Sequence, residues 1–145
     1  MRIFFTSLIA FFLSAFAGGM VAQILAVWTN ATEEYTLVFM ATVLVVAVVT
    51  LVFFIAQLFG NAASAVNWAA LVLLLLLAVI LLGLLGWTFW QPPAQRALKS
   101  DLTIIGGLML PNVTVIVVHW LFVRWRLRRR TDVETPRFGR GPEPA

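Results

Sequence analysis

Four long apolar runs divide the chain, and short polar segments separate them. The runs cover residues 3–28, 37–59, 67–90 and 102–125. Each run exceeds the roughly 20 residues that an α-helix needs to cross a bilayer. Apolar positions are continuous within the runs, whereas a lipid-facing barrel strand would alternate. The pattern therefore predicts an all-α integral membrane protein, built as a four-transmembrane-helix bundle with short loops.

The residues at the ends of the runs support these boundaries. Pro92 and Pro93 follow the third run, and proline cannot continue a helix at that point. All the tryptophans lie near run ends, at positions 28, 68, 87, 90, 120 and 125. Because amphipathic rings prefer the headgroup layer, this placement favours four spans with these limits.

Charge is scarce and concentrated outside the runs. Charged residues make up 11% of the 145 positions, whereas a soluble domain has about 25%. No Asp, Glu, Lys or Arg occurs in residues 3–32, 35–95 or 102–123. A water-facing surface cannot be built from such segments, so the composition indicates that lipid surrounds most side chains.

The distribution of Lys and Arg predicts the orientation. With four spans, both termini lie on one side, and that side carries the arginines at positions 2, 124, 126, 128, 129, 130, 137 and 140. The opposite side carries Arg96 and Lys99. The positive-inside rule then places both termini in the cytoplasm. We expect a multi-pass protein of the plasma membrane, in the setting of a bacterial inner membrane.

The first run has a second interpretation. Its basic start, short apolar stretch and the segment Ala15-Phe16-Ala17 fit a signal peptide with a small-residue cleavage site. The apolar sequence continues to Trp28, however, which makes the uncut run long enough to span. We expect an uncleaved first span.

Small residues recur at every fourth position of the first run, namely Ala10, Ser14, Gly18, Ala22 and Ala26. They lie along one helical stripe. Small side chains allow helix backbones to approach closely in lipid. We expect this stripe to pack against the other spans of the same chain, with a contact to another chain as the alternative.

The fourth run contains features that disturb a regular helix. Pro111 has no N–H, so the carbonyl of Gly107 loses its intrahelical partner and a kink is expected. At about 100° per residue, Thr103, Gly107 and Thr114 share one face. We expect Gly107 and Thr114 to contact protein rather than lipid.

Asn112 and His119 lie seven residues apart, on the opposite face of the fourth run. Our interpretation is that Asn112 hydrogen-bonds across helices and that His119 lies near the cytoplasmic headgroups. The alternative is a polar contact or axial ligand for a haem, a chlorin or a quinone. Two axial histidines would have to come from two chains. No second residue reinforces a cofactor site, and we expect no cofactor.

Other chemistry is restricted by composition. The chain has no cysteine and one histidine, too few for a thiolate centre or an ordinary protein-only metal site. It has no P-loop, nucleophile elbow, HExxH or GxGxxG motif. Apart from Arg124 at the end of the fourth run, no carboxylate, Lys or Arg lies within a span, where ion-coupled pumps usually carry one. We therefore expect that the protein is not an enzyme.

The basic segment after the fourth run is expected to contact anionic lipid. Its members are Arg124, Arg126, Arg128, Arg129 and Arg130, and each is worth about 1 kcal/mol near an anionic surface. Nucleic-acid binding is not expected from one short arm without aromatic platforms.

Residues 131–145 are rich in Pro, Gly and charge, which predicts a disordered cytoplasmic tail after a transmembrane domain of residues 1–130.

Two functional hypotheses remain. The first is a non-catalytic accessory or assembly subunit of a larger membrane protein complex, with membrane lipids and other membrane subunits as partners. The second is a small oligomeric pore or carrier, including a holin-like protein, gated near the break at Pro111. A pore should have a continuous hydrophilic stripe along a span, and no run carries one, so the first hypothesis is preferred.

The four-span prediction can be tested by the intact mass of the purified protein. We expect the mass of the whole chain, because the first run is retained as a span. A mass lower by the first 17 residues would instead support a cleaved signal peptide and three spans.

Overall fold

A computed structural model describes residues 1–30, 35–59, 61–95 and 98–134. Four α-helices account for nearly all of these residues: α1 (Arg2–Thr29), α2 (Tyr35–Leu58), α3 (Ala62–Trp90) and α4 (Leu98–Glu134). A short 3₁₀ turn, Pro93–Gln95, precedes α4. Each of the four helices is long and apolar enough to cross a membrane. The prediction of four such helices in an all-α chain is therefore confirmed.

The helices are longer than the apolar runs that predicted them. The third run was expected to begin at residue 67, whereas α3 begins at Ala62. The fourth run was expected to end at residue 125, whereas α4 continues to Glu134. Alanine and arginine are good helix formers, so the helices extend through Ala62–Ala65 and through the basic segment. Apolar runs mark expected lipid contact, and helical geometry does not stop at that boundary.

The C-terminal segment is only partly described. Residues 131–134, predicted to belong to a disordered tail, form the last turn of α4. Residues 135–145 lie outside the described residues, as do loop positions 31–34, 60 and 96–97.

The four helices form a bundle in which α2 and α4 each contact all three of the other helices. Among the described residues, α1 and α3 do not meet. The bundle therefore has a rhombic cross-section, with α2 and α4 facing each other across the short diagonal and α1 and α3 at the far corners.

The interior is built mainly from medium and small apolar side chains. Its buried members include Ala10 on α1, Val46, Val49 and Phe53 on α2, Val66 and Ala70 on α3, and Val115, Ile116 and Val123 on α4. Most of the large phenylalanine, leucine and tryptophan side chains face outward. For a bundle surrounded by lipid, outward apolar groups would have no drive to move inside, and close packing would have to hold the helices together.

The closest approach of α1 to the rest of the bundle is at Gly18. A Cβ atom built on Gly18 would lie 2.5 Å from Val115 Cγ2, 3.1 Å from Thr42 Cγ2 and 3.4 Å from the Pro111 carbonyl oxygen. Val115 is itself fully buried and β-branched, so it has little freedom to move aside. Glycine is therefore required where α1, α2 and α4 come together.

Pro111, where the sequence predicts a kink, lies inside α4 and does not divide it into two helices. Helical structure continues from Leu98 to Glu134, with Pro111 fully buried inside the bundle. One missing N–H removes one hydrogen bond, and neighbouring helices can compensate for that loss within a membrane. The carbonyl oxygen of Pro111 is part of the surface that receives Gly18.

The substitution Gly18→Ala tests this close approach. We expect it to destabilise the protein by roughly 1–3 kcal/mol, because the added methyl group overpacks a filled crossing point. Thermal unfolding in detergent, followed by circular dichroism, measures the effect.

Gly19→Ala is the matched control, because a Cβ at Gly19 would have nothing within 4 Å. This control should be neutral or slightly stabilising. The double variant Gly18→Ala/Val115→Ala should recover part of the loss, because it removes the clashing methyl group. Equal effects of Gly18→Ala and Gly19→Ala would contradict the predicted clash.

Candidate functional site

His119 lies in the centre of the bundle, where α1, α2 and α4 meet. Its side chain is 0% exposed. Its Nδ1 is 3.4 Å from Ser14 Oγ, and its ring centroid is 5.0 Å from that of Phe53. A polar group from α1 and an aromatic ring from α2 thus enclose the imidazole of α4.

The hydrogen bonds of Ser14 indicate which nitrogen of His119 carries the proton. Ser14 Oγ lies 2.7 Å from the carbonyl oxygen of Ala10. The hydroxyl has one hydrogen, which the short contact to Ala10 uses, so Ser14 Oγ can only accept from His119. We assign the proton of the neutral imidazole to Nδ1 on this ground. Nε2 then bears a lone pair, and it is buried without a partner among the described residues.

The partner of His119 on α1 is Ser14. The sequence predicts that His119 lies near the cytoplasmic headgroups, because it lies a few residues before Arg124 on α4. The structure places its Nδ1 beside Ser14 Oγ, twelve residues after the start of α1 at Arg2. The position of His119 relative to the headgroups stays a prediction.

Asn112 is buried but does not form the expected hydrogen bond across helices. Its Nδ2 donates to the carbonyl oxygen of Leu108 on its own helix, at 2.7 Å. Its Oδ1 is buried without a partner in the described part of the chain. The hydroxyl groups of Thr6, Thr42, Thr50, Thr88 and Thr114 and the amide of Gln57 also donate to carbonyls of their own helices. Polar side chains in this bundle are mostly satisfied locally.

The small-residue stripe of α1 faces the interior. Ala10, Ser14, Gly18 and Ala22 are buried, and Ala26 is partly buried. The stripe is thus covered by the other helices of the same chain, which leaves its buried part inaccessible to a second chain.

The face of α4 that was expected to pack closely is more open than its opposite face. A Cβ at Gly107 would have nothing within 4 Å, and Thr114 is partly exposed. Gly107 and Ala26 instead line a cleft of about 230 Å³ between α1 and α4. The buried face of α4 carries Asn112, Val115 and His119. Helical phase alone did not show which of two polar faces points inward.

A tryptophan–asparagine pair joins α3 to α4, and sequence reasoning did not identify it. Trp120 Nε1 donates to Asn67 Oδ1 at 2.8 Å. The two residues are 53 positions apart, and each alone resembles an ordinary residue at the end of a span. Consecutive spans are antiparallel, so the start of α3 lies at the same depth as the later part of α4. This order was the one feature of the sequence that could have indicated the pair.

Three arginines of the basic segment lie over tryptophan rings. The guanidinium carbon of Arg124 lies 4.9 Å from the centroid of the Trp120 ring. Arg126 and Arg129 lie over Trp125, at 5.9 and 4.3 Å. Arg128 and Arg130 are exposed. The basic segment is therefore a helical surface with arginines held in distinct directions.

The His119 environment has little room for a cofactor or for nucleophilic catalysis. The covered Nε2 gives a porphyrin metal no approach, and no metal-ligand cluster occurs among the described residues. The Ser14 hydrogen is engaged by Ala10, so His119 does not act as its base in this arrangement. The geometry is that of a polar contact between packed helices.

Comparison with protein-family models, with curated proteins and with solved structures gives no match. Functional inference therefore depends on the geometry described above.

The substitution Ser14→Ala tests how much the contact with His119 contributes. We expect a loss of about 0.6 kcal/mol, the average for hydrogen bonds between membrane helices. The 3.4 Å distance is long, and the serine hydroxyl keeps a local partner without His119. Unfolding of the detergent-solubilised protein by sodium dodecyl sulfate measures the change.

His119→Ala should cost several times more, because large-to-small changes in a filled interior cost roughly 2–5 kcal/mol. If the two variants lose equal stability, the hydrogen bond contributes more than its geometry indicates.

Proposed function

We propose that this protein is a non-catalytic accessory or assembly subunit of a larger membrane protein complex, in a bacterial inner membrane with both termini in the cytoplasm. The main observation in its support is the exposed outward face of α3. The supporting features are a filled interior, short loops and the absence of a continuous polar path among the described residues.

Helix α3 contributes little of its surface to the bundle. In its most apolar segment of 18 residues, 6% of the residues are buried inside the bundle. The corresponding share for α4 is 33%. Its contact stripe includes Val66, Ala70, Leu73 and Leu77. A helix of 29 residues held along one stripe leaves most of its circumference for lipid or for another protein.

The outward face of α3 is suited to contact with another helix. Leu75 and Val79 are 62% and 60% exposed. Farther along, a Cβ at Gly83 or Gly86 would have nothing within 4 Å. Small residues beside large ones allow a neighbouring helix to approach the backbone closely, which is a main source of helix association in lipid.

The bundle interior gives less support to a pore or carrier. The buried threonines and Gln57 bond to their own helices, and apolar side chains fill the space between them. Pro111, the expected gate, is buried beside Gly18. Conduction would require a continuous hydrophilic stripe, and the described helices do not supply one.

An enzyme would need polar groups collected at the ends of the bundle. The segments between helices cover residues 30–34, 59–61 and 91–97. Such short connections support a structural role, because they provide few positions for substrate-binding and proton-transferring side chains.

Purification through a C-terminal tag at native expression level, in gentle detergent, tests the proposal. We expect a stoichiometric larger complex by native mass spectrometry. Leu75→Trp/Val79→Trp should reduce recovery of the partner while the bundle remains folded, because the changes are confined to the outward face of α3.

Phe12→Trp is the control, since Phe12 is equally exposed, at 63%, but lies on α1. It should leave recovery unchanged. A lone monomer or homo-oligomer in the unaltered protein would overturn the proposal, and ion flux in proteoliposomes would then support a pore.

A further inference from the structure

A groove of about 280 Å³ runs between α3 and α4 at the end of the bundle that carries the arginines. Its sides include Asn67, Leu71 and Leu74 from α3 and Val117 and Trp120 from α4, with Arg124 at one end. We call it the α3–α4 groove. It combines a fixed cation with an apolar channel, unlike the cleft near Gly107.

The polar end of the groove is held by a chain of contacts. Asn67 accepts a hydrogen bond of 2.8 Å from Trp120 Nε1, which fixes the indole plane. Arg124 then lies over that plane, with its guanidinium carbon 4.9 Å from the ring centroid. A stacked guanidinium has less conformational freedom to lose when it binds an anion.

Arg124 has no carboxylate partner among the side chains that the structure describes. Side chains are described for residues 1–30, 36–59, 61–94 and 101–131, and Asp101 is the one acidic residue among these. It lies near the opposite end of α4. At about 1.5 Å per residue, the 23 residues from position 101 to 124 separate the two by roughly 35 Å. The charge of Arg124 is therefore available to an external anion.

The apolar end of the groove is lined by hydrocarbon. Ala70 and Ile116 are buried and form its floor, while Leu71 and Leu74 stand outward beside it. Since α3 and α4 are antiparallel, Leu74 on α3 and Val117 on α4 both lie farther from Arg124 than the Asn67–Trp120 pair. The order along the groove is cation, interfacial indole, then hydrocarbon.

We propose that the α3–α4 groove binds one anionic phospholipid, with the headgroup phosphate at Arg124 and an acyl chain along Leu71, Leu74 and Val117. A phosphate accepts paired hydrogen bonds from a guanidinium, and the sequence of polar and apolar groups matches that of a phospholipid. This inference goes beyond the subunit proposal and does not depend on it.

The neighbouring arginines Arg126 and Arg129 lie outside the groove, which distinguishes them from Arg124. Arg126 and Arg129 stack on Trp125, whose ring does not line the groove. Charge alone would make the basic segment a diffuse lipid contact in which each arginine contributes similarly. The groove instead assigns the bound lipid to Arg124.

Native mass spectrometry of the purified full chain tests the site, with dioleoylphosphatidylglycerol or dioleoylphosphatidylcholine added to the detergent. We expect one retained phosphatidylglycerol per chain and much weaker retention of phosphatidylcholine. Arg124→Gln should weaken phosphatidylglycerol binding by roughly tenfold or more, because a charge-assisted hydrogen bond is lost.

Arg129→Gln is the matched control, since it removes the same charge from an arginine that also stacks on a tryptophan. It should leave retention nearly unchanged. Leu74→Trp, which keeps every charge and changes an outward side chain, should also weaken binding by filling the groove. Circular dichroism establishes that each variant remains helical.

Three results would overturn the proposal. One is equal loss of lipid in Arg124→Gln and Arg129→Gln, which would indicate a diffuse charged surface. Another is complete displacement of the lipid by glycerol 3-phosphate at equal concentration, which would indicate a phosphate site without a role for the acyl chain. The third is a second copy of the protein in the groove, seen as a dimer that excludes lipid.

Discussion

The crossing of α1 over α4 at Gly18 is the constraint on which the bundle depends. The missing side chain at this position allows Val115 and the Pro111 carbonyl to come within van der Waals distance of α1. That approach brings Ser14, one turn earlier on α1, to the imidazole of His119. A larger residue at Gly18 would clash with Val115 and push the two helices apart at this crossing.

The polar groups of the interior form hydrogen bonds within individual helices more often than they link different ones. Hydroxyl and amide groups on α1, α2 and α4 donate to carbonyls one turn earlier. Two polar side-chain contacts between helices, Ser14–His119 and Asn67–Trp120, lie at different depths and fix different helix pairs. One sets α1 against α4, and the other sets α3 against α4, so α4 serves as the common reference for the bundle.

The number and approximate limits of the helices follow from the sequence, because apolar runs of span length bounded by tryptophan and proline admit few alternatives. Which face of α4 points inward does not follow from the sequence, since two faces of that helix carry polar or small residues. Three-dimensional packing at Gly18 selects the face with Val115 and His119. The antiparallel order of α3 and α4 indicates that Asn67 and Trp120 lie at a similar depth, but the sequence does not give the rotation of each helix that brings the two side chains into contact.

The position of α4 in the bundle has a consequence for biosynthesis. Ribosomes make α4 last, yet it contacts each of the other three helices. Until α4 arrives, Ser14 lacks His119, Gly18 has Thr42 of α2 but not Val115 beside it, and α3 has α2 alone as a neighbour. A messenger truncated before α4 would therefore yield three helices that lack the α4 part of the core, namely Val115, Ile116 and Val123.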